Sequence, residues 1–203
     1  MTENNIQGKF SFEAICFSTN NVNFTSISIM KQYFMSTICS DIRYISNHNV
    51  TFKHNLIVGN NNIECQNSYI EITPTVKNCK INKESDCFII FYDLEYNDSL
   101  TEFFKIIKMI SNLGFTDKKL YIIGIYTNEN NKKDDDIFEN EISKCLEQYL
   151  ITDPDFSQVN IEESEDFAKK IDKITIECLQ NKQLLKCDKD AKNDKSISNC
   201  LIN

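Results

Sequence analysis

Two spacings of apolar residues run along this chain, and they alternate. Residues 9–17, 50–58 and 63–72 are rich in β-branched and aromatic side chains and read as strands. The turn "GNNN" at residues 59–62 joins the last two as a hairpin. "CFIIFY" (87–92) and "LYIIGIY" (120–126) are unbroken apolar runs of the kind buried on both faces of a sheet. A short last strand is expected within 151–157.

Helical spacing fills the intervals. Residues 25–35 predict one helix and 98–113 the clearest one. There Leu100, Phe103, Phe104, Ile107 and Ile110 share a face, Ser99 with Glu102 makes a capping box, and Gly114 ends the run. Residues 134–149 place Ile137, Phe138, Ile142, Cys145, Leu146 and Tyr149 at helical intervals. Residues 162–180 do the same for Phe167, Ile171, Ile174 and Cys178. The acidic start "EESED" suits the positive end of that helix. This order predicts an α/β fold of three layers, a mostly parallel sheet with one antiparallel hairpin edge. Ligands of such sheets sit beyond the carboxyl ends of the strands, so the loops after residues 17, 72 and 126 matter most.

Composition narrows the picture. The 203 residues allow an N-terminal extension (1–8), one domain (9–180) and a polar, lysine-rich tail (181–203) that reads as flexible. A net charge of −8 argues against a nucleic-acid partner. No run approaches the length of a membrane span, and "MTENNIQGKF" lacks the apolar core of a secretory signal, so a cytoplasmic chain is expected. The nine cysteines include no C-x-x-C pair, and His48 and His54 are the only imidazoles. The cysteines therefore read as small buried hydrophobes rather than disulfides or zinc ligands. The run Asp134–Asp136 reads as a solvated helix start, Asp153 to Asp155 as a turn, and His48 as an exposed loop residue.

One stretch raises a chemical question. "STNNVNFTSI" (18–27) lies between the first strand and the first helix, where a phosphate-binding loop sits. It overlays GDSGVGKTSL without a gap. "YISNHNVTFKHNLIV" (44–58) is similar to YxxTIGVDFKxKxI, and "KESDCFIIFYDLEYNDSLTEF" (83–103) to RGADGxIxVYDxTxxxSFxxx. "IIGIYTN" (122–128) lies where the pattern has LVGNKxD, and "FSQVN" (156–160) near TSAK. Over residues 9–180 the chain thus resembles a small GTPase of the Ras superfamily, the Rab branch most closely.

That resemblance implies a P-loop fold, guanine-nucleotide binding with magnesium, and a switch between two states. It assigns the degenerate nucleotide positions to Ser18, Asn20, Asn21, Val22, Asn23, Phe24, Thr25, Ser26, Asn47 and Asn128. Ser18 and Asn23 replace glycines whose bare backbone approaches phosphate. Phe24 replaces the lysine, and Thr25 remains as a magnesium ligand. Asn47 replaces the switch threonine. "YIEI" (69–72) supplies no counterpart of the D-x-x-G aspartate or glycine, "TPTV" (73–76) no water-orienting glutamine. Asn128 offers one acceptor where the family's aspartate offers two. Several charge-assisted bonds of about 1.5–3 kcal/mol each are gone, against about 1.4 kcal/mol per decade of affinity. No catalytic residue and no bound cofactor are expected.

"CLIN" (200–203) has the C-a-a-X form, which points to prenylation of Cys200. The first expectation is a pseudo-GTPase: a membrane-tethered module in vesicle trafficking or signalling. It would bind effector-type proteins through residues 44–58 and 63–72. The alternative is a slow GTPase switch holding GTP or GDP with magnesium. A third is an unrelated enzyme on the same sheet.

Overall fold

A computed structural model describes residues 10–20, 25–36, 39–46, 48–58, 61–72, 84–151, 153–182, 185–187 and 200–202. Its elements run β1 (Phe10–Ser18), α1 (Ser26–Ser36), β2 (Cys39–Ser46), β3 (Asn49–Val58), β4 (Asn61–Glu71), β5 (Cys87–Asp93), α2 (Ser99–Asn112) and β6 (Lys119–Tyr126). After a 3-10 turn (Glu129–Asn131) come α3 (Asp135–Glu147), β7 (Asp155–Asn160), α4 (Ser164–Asn181), β8 (Leu185–Cys187) and β9 (Cys200–Ile202).

The seven-stranded sheet has the order β2-β3-β4-β1-β5-β6-β7. Strands β4, β1, β5, β6 and β7 are parallel, and β3 pairs antiparallel with β4 from Asn49↔Ile70 to Val58↔Asn61. The expected mostly parallel sheet with an antiparallel edge is therefore present. The edge is wider than the sequence pattern implied, because β2 adds a further antiparallel strand to β3. Residues 40–46 are exposed throughout. A strand that buries neither face carries no alternation to read. The last strand is also shifted, to Asp155–Asn160.

Two helices cover each face. Met30 and Tyr33 of α1 and Phe167, Ile171 and Ile174 of α4 pack on Phe12, Phe52, Tyr69 and Phe91. Phe103, Ile107 and Ile110 of α2 and Phe138, Ile142 and Leu146 of α3 pack on the opposite face, against Phe17, Ile90 and Ile122. Strand β5, between these layers, is buried at every residue. Cys16, Cys65, Cys87, Cys145 and Cys178 are free thiols inside the core, as small hydrophobes would be.

Three local expectations change. Ser99 does not cap α2: its N-cap is Asp98, with no side-chain bond, and the Ser99 hydroxyl turns inward to donate to the Asp93 carbonyl. Glu102 pairs with Lys105 instead of reaching back. Ile137 is 63% exposed, because the apolar face of α3 is set by Phe138, Ile142, Cys145 and Leu146. Gly114 does end α2, at φ 74°, a region that a Cβ disfavours. Asp134 caps α3 by accepting from the Asp136 and Ile137 amides, so the acidic run is a helix start.

Helix α4 begins beside the carboxyl end of β7 and runs back to the opposite rim. There Lys182 pairs with the Asp86 carboxylate, just before β5, and donates to the Ser11 carbonyl of β1. Beyond it, β8 and β9 pair antiparallel with Cys187 opposite Cys200, an element the tail's composition did not predict.

Candidate functional site

The carboxyl ends of β1, β4, β5 and β6 bring Ser18, Glu71, Asp93 and Tyr126 to one rim. Of the positions assigned from sequence, Ser18, Asn20, Thr25, Ser26 and Asn128 are placed here. Asn21, Val22, Asn23, Phe24 and Asn47 lie outside the described residues.

The segment after β1 is tied into the core rather than left open. Ser18, Thr19 and Asn20 are buried. The Ser18 hydroxyl accepts from the Asn20 amide at 3.3 Å. Asn20 Nδ2 donates to Asp93 Oδ2 at 2.7 Å. Thr19 Oγ1 accepts from the Asp93 amide at 2.9 Å and donates to Ser99 Oγ at 2.9 Å. Each of these polar groups is matched, as burial demands.

From Asp93 the network continues to the loop after β6. Asp93 Oδ1 accepts from the Glu95 amide at 2.8 Å. The Glu95 carboxylate then accepts from the Thr127 amide at 2.8 Å, the Asn128 amide at 3.0 Å, the Thr127 hydroxyl at 2.9 Å and Asn131 Nδ2 at 3.1 Å. Burial pushes the Glu95 carboxyl up, but the donors of Thr127, Asn131 and Asn128 outweigh it, so the group sits below its ordinary value. Asn128 Oδ1 accepts from the Asn130 amide at 3.0 Å. The side chain acts as the N-cap of the 3-10 turn.

At the start of α1, Thr25 is the cap. Its hydroxyl accepts from the Ser28 amide at 3.1 Å, and its carbonyl accepts from the Ser28 hydroxyl and the Ile29 amide. The next amide, of Ser26, donates to Glu71 Oε1 at 2.5 Å. Glu71 ends β4 with only 2% of its side chain exposed, and its other oxygen lies 2.9 Å from His48 Nδ1. The Glu71 amide donates to the His48 carbonyl at 2.7 Å. His48 is exposed, as its loop position predicts, but its ring has a fixed partner. The Cys16 thiol beside β4 is pushed up by its burial and secondarily by the Glu71 charge.

Glu71, Asp93 and Glu95 were not singled out from the sequence, and Ser99 was read only as a helix cap. Their partners lie between 2 and 80 positions away. The available signal was positional: each acidic residue ends, or lies two residues beyond, a strand of the parallel set.

Among the described residues no group of three or more metal-ligating side chains converges. No helix among them is long and apolar enough to cross a membrane. A cleft of about 240 Å³ between α3 and β7, lined by Lys132, Asp135, Phe138, Glu139 and Gln158, lies on the side of the domain. No family model matches this chain, and no curated protein matches it in sequence.

Proposed function

We propose that this chain is a divergent Rab-like member of the small GTPases that has lost nucleotide chemistry, a pseudo-GTPase acting as a binding module in vesicle trafficking or signalling. The observation that carries the reading is the Glu95 carboxylate on the Thr127 and Asn128 amides. Those donors belong to the loop that would meet a guanine base, and the chain's own acid has taken them. An incoming nucleotide would have to displace a carboxylate with a depressed pKa and bring further negative charge to the same rim. Two like unit charges 4 Å apart near a protein surface repel by about 4 kcal/mol.

What remains for recognition is a surface. Ile42, Tyr44 and Ile45 of β2 and Ile57 of β3 are 41–73% exposed. They fall in and beside the segment that aligns with the family's switch, where effector-type proteins would dock. The C-a-a-X cysteine, Cys200, supplies the tether to the cytosolic face of a membrane through a prenyl chain. A single chain of that kind gives only marginal attachment, so the protein partner contributes the second signal.

Analysis of nucleotide released from protein purified without added ligand, followed by thermal denaturation with GTP or GDP and magnesium, tests this reading. The expected result is no guanine nucleotide and no shift in Tm. A ligand at one hundred times its Kd would stabilise by about 2.7 kcal/mol, a shift easily seen. Stoichiometric GDP, or a saturable rise in Tm, would overturn the reading in favour of a working switch.

A further inference from the structure

Helices α2 and α3 end in the same way but with different residues. After α2 the Gly114 amide donates to the Ser111 carbonyl at 2.9 Å and the Phe115 amide to the Ile110 carbonyl at 3.3 Å. After α3 the Leu150 amide donates to the Glu147 carbonyl at 3.3 Å and the Ile151 amide to the Leu146 carbonyl at 3.3 Å. Such a closure takes a left-handed residue, and Gly114 fills the first at φ 74° without a Cβ to clash. Leu150 fills the second at φ 56°, a conformation that a bulky side chain resists. It is also 83% exposed, more than any other large apolar side chain among the described residues. Leucine is thus unfavourable here twice, in backbone and in hydration, and burial offsets neither.

The loop that presents Leu150 is fixed on both sides. Ile151 is buried in the layer of α2 and α3, and Lys119 donates to the Asp153 carbonyl and pairs with its carboxylate. The same rim, at the amino ends of the parallel strands, is laced together as far as the tail. Lys118 donates to the Ser85 carbonyl at 3.0 Å, and Lys182, just past α4, pairs with Asp86. Leu113, 43% exposed, stands on this rim too, at the end of α2. The loops entering β5, β6 and β7 and the root of the tail therefore form one surface.

We propose that this rim is a bilayer-contacting surface, with the Leu150 side chain inserted among the acyl chains of zwitterionic lipid. Place and charge argue for that occupant. The tail ending in Cys200 leaves from the same rim, so a lipid carried there would bring Leu150 to the membrane. A single prenyl chain binds only marginally, and an inserted apolar side chain is a second signal within the chain itself. Lys118, Lys119 and Lys182 are engaged by Ser85, Asp153 and Asp86, whereas Asp117 and Glu147 are exposed, so the rim does not favour anionic headgroups. The inference rests on the tethered reading of Cys200 given above.

The chain contains no tryptophan, so Leu150→Trp introduces a single reporter. The full-length variant is held by a C-terminal histidine tag on phosphatidylcholine vesicles containing a nickel-chelating lipid, a tether that does not need Cys200. Its emission is expected to shift to the blue and to be quenched by lipids brominated on the acyl chains, equally with and without phosphatidylserine. Tyr44→Trp, near the opposite rim, is expected to stay unquenched. Unquenched Leu150→Trp on tethered protein overturns the proposal, and so does quenching that requires phosphatidylserine.

Leu150→Gly gives effects of opposite sign. It is expected to raise Tm by about 2–4 °C by relieving the backbone. It is also expected to weaken co-sedimentation of the lipid-modified chain with phosphatidylcholine vesicles about tenfold. A lower Tm would show that Leu150 packs within the fold, and a dimer lost in Leu150→Gly that it serves a second copy; either result overturns the proposal. The readings fail separately. An unmodified Cys200 in the mass of the cellular protein sinks the lipid tether, whereas an unquenched reporter on tagged protein sinks only the insertion of Leu150.

Discussion

Glu95 illustrates how one side chain can decide what a loop is for. Its carboxylate collects donors from three residues of the loop after β6, and it does so near the surface. A carboxyl with a depressed value releases its proton more readily folded than unfolded. Its contribution is therefore complete above the ordinary carboxylate range and is lost as pH falls through the lower folded value. The protection factors of the Thr127 and Asn128 amides, which remove the intrinsic pH dependence of exchange, should be high at neutral pH and fall on acidification through that window. In Glu95→Gln the same amides should exchange faster at neutral pH, and the acid-dependent step should vanish. Equal exchange in the two proteins would remove Glu95 from its assigned place. None of this was legible in the sequence, because residue type shows an acid while only the fold shows which amides lie 2.8–3.0 Å from it. The capping box failed for a related reason. Ser99 had the right spacing to Glu102, but a buried carbonyl at Asp93 competed for its hydroxyl and won.

Elements were far more legible than contacts. The inward stripe of α4 (Phe167, Ile171, Ile174, Cys178) is buried as its period predicts, since a helix of 18 residues repeats the signal several times. Strands β5 and β6 declared themselves as apolar runs, a consequence of helices on both sheet faces. Strand β2 did not, because it has no buried face, and its pairing is broken by register shifts at Ser40/Arg43 and Tyr44/Ser46. Such irregularities and the charges of Asp41 and Arg43 are the devices by which free edges resist indiscriminate pairing. Phe167 is fully buried and lies 6.1 Å, ring to ring, from Phe91 of β5. Phe167→Ala should cost about 3–5 kcal/mol in denaturant unfolding, the usual price of a buried aromatic truncation. A loss under about 1 kcal/mol would mean that α4 does not pack on β5 as described.

At the scale of the molecule, the two rims of the sheet do different work. One carries the acids Glu71, Asp93 and Glu95 and no described cluster of metal ligands. The other is fastened by Asp86, which accepts from the Glu13 amide at 2.9 Å and pairs with Lys182. Asp86→Ala leaves the part-buried Glu13 amide without its acceptor and Lys182 without its ion-pair partner. It should lower stability by about 1–3 kcal/mol and raise exchange in the last turn of α4. Intact protection there would show that the helix end is held by something else. The sheet order was within reach of the sequence, since a hairpin followed by strand and helix alternation allows few arrangements. The division of labour between the rims was not, because it depends on residues brought together across the sheet.

The fastening at Lys182 also sets an orientation. Helix α4 descends away from the acidic rim, and β8 follows it by three residues, with Cys200 drawn back opposite Cys187. Residue 200 is thereby held next to residue 187, close to the end of α4, and not at the reach of an extended chain.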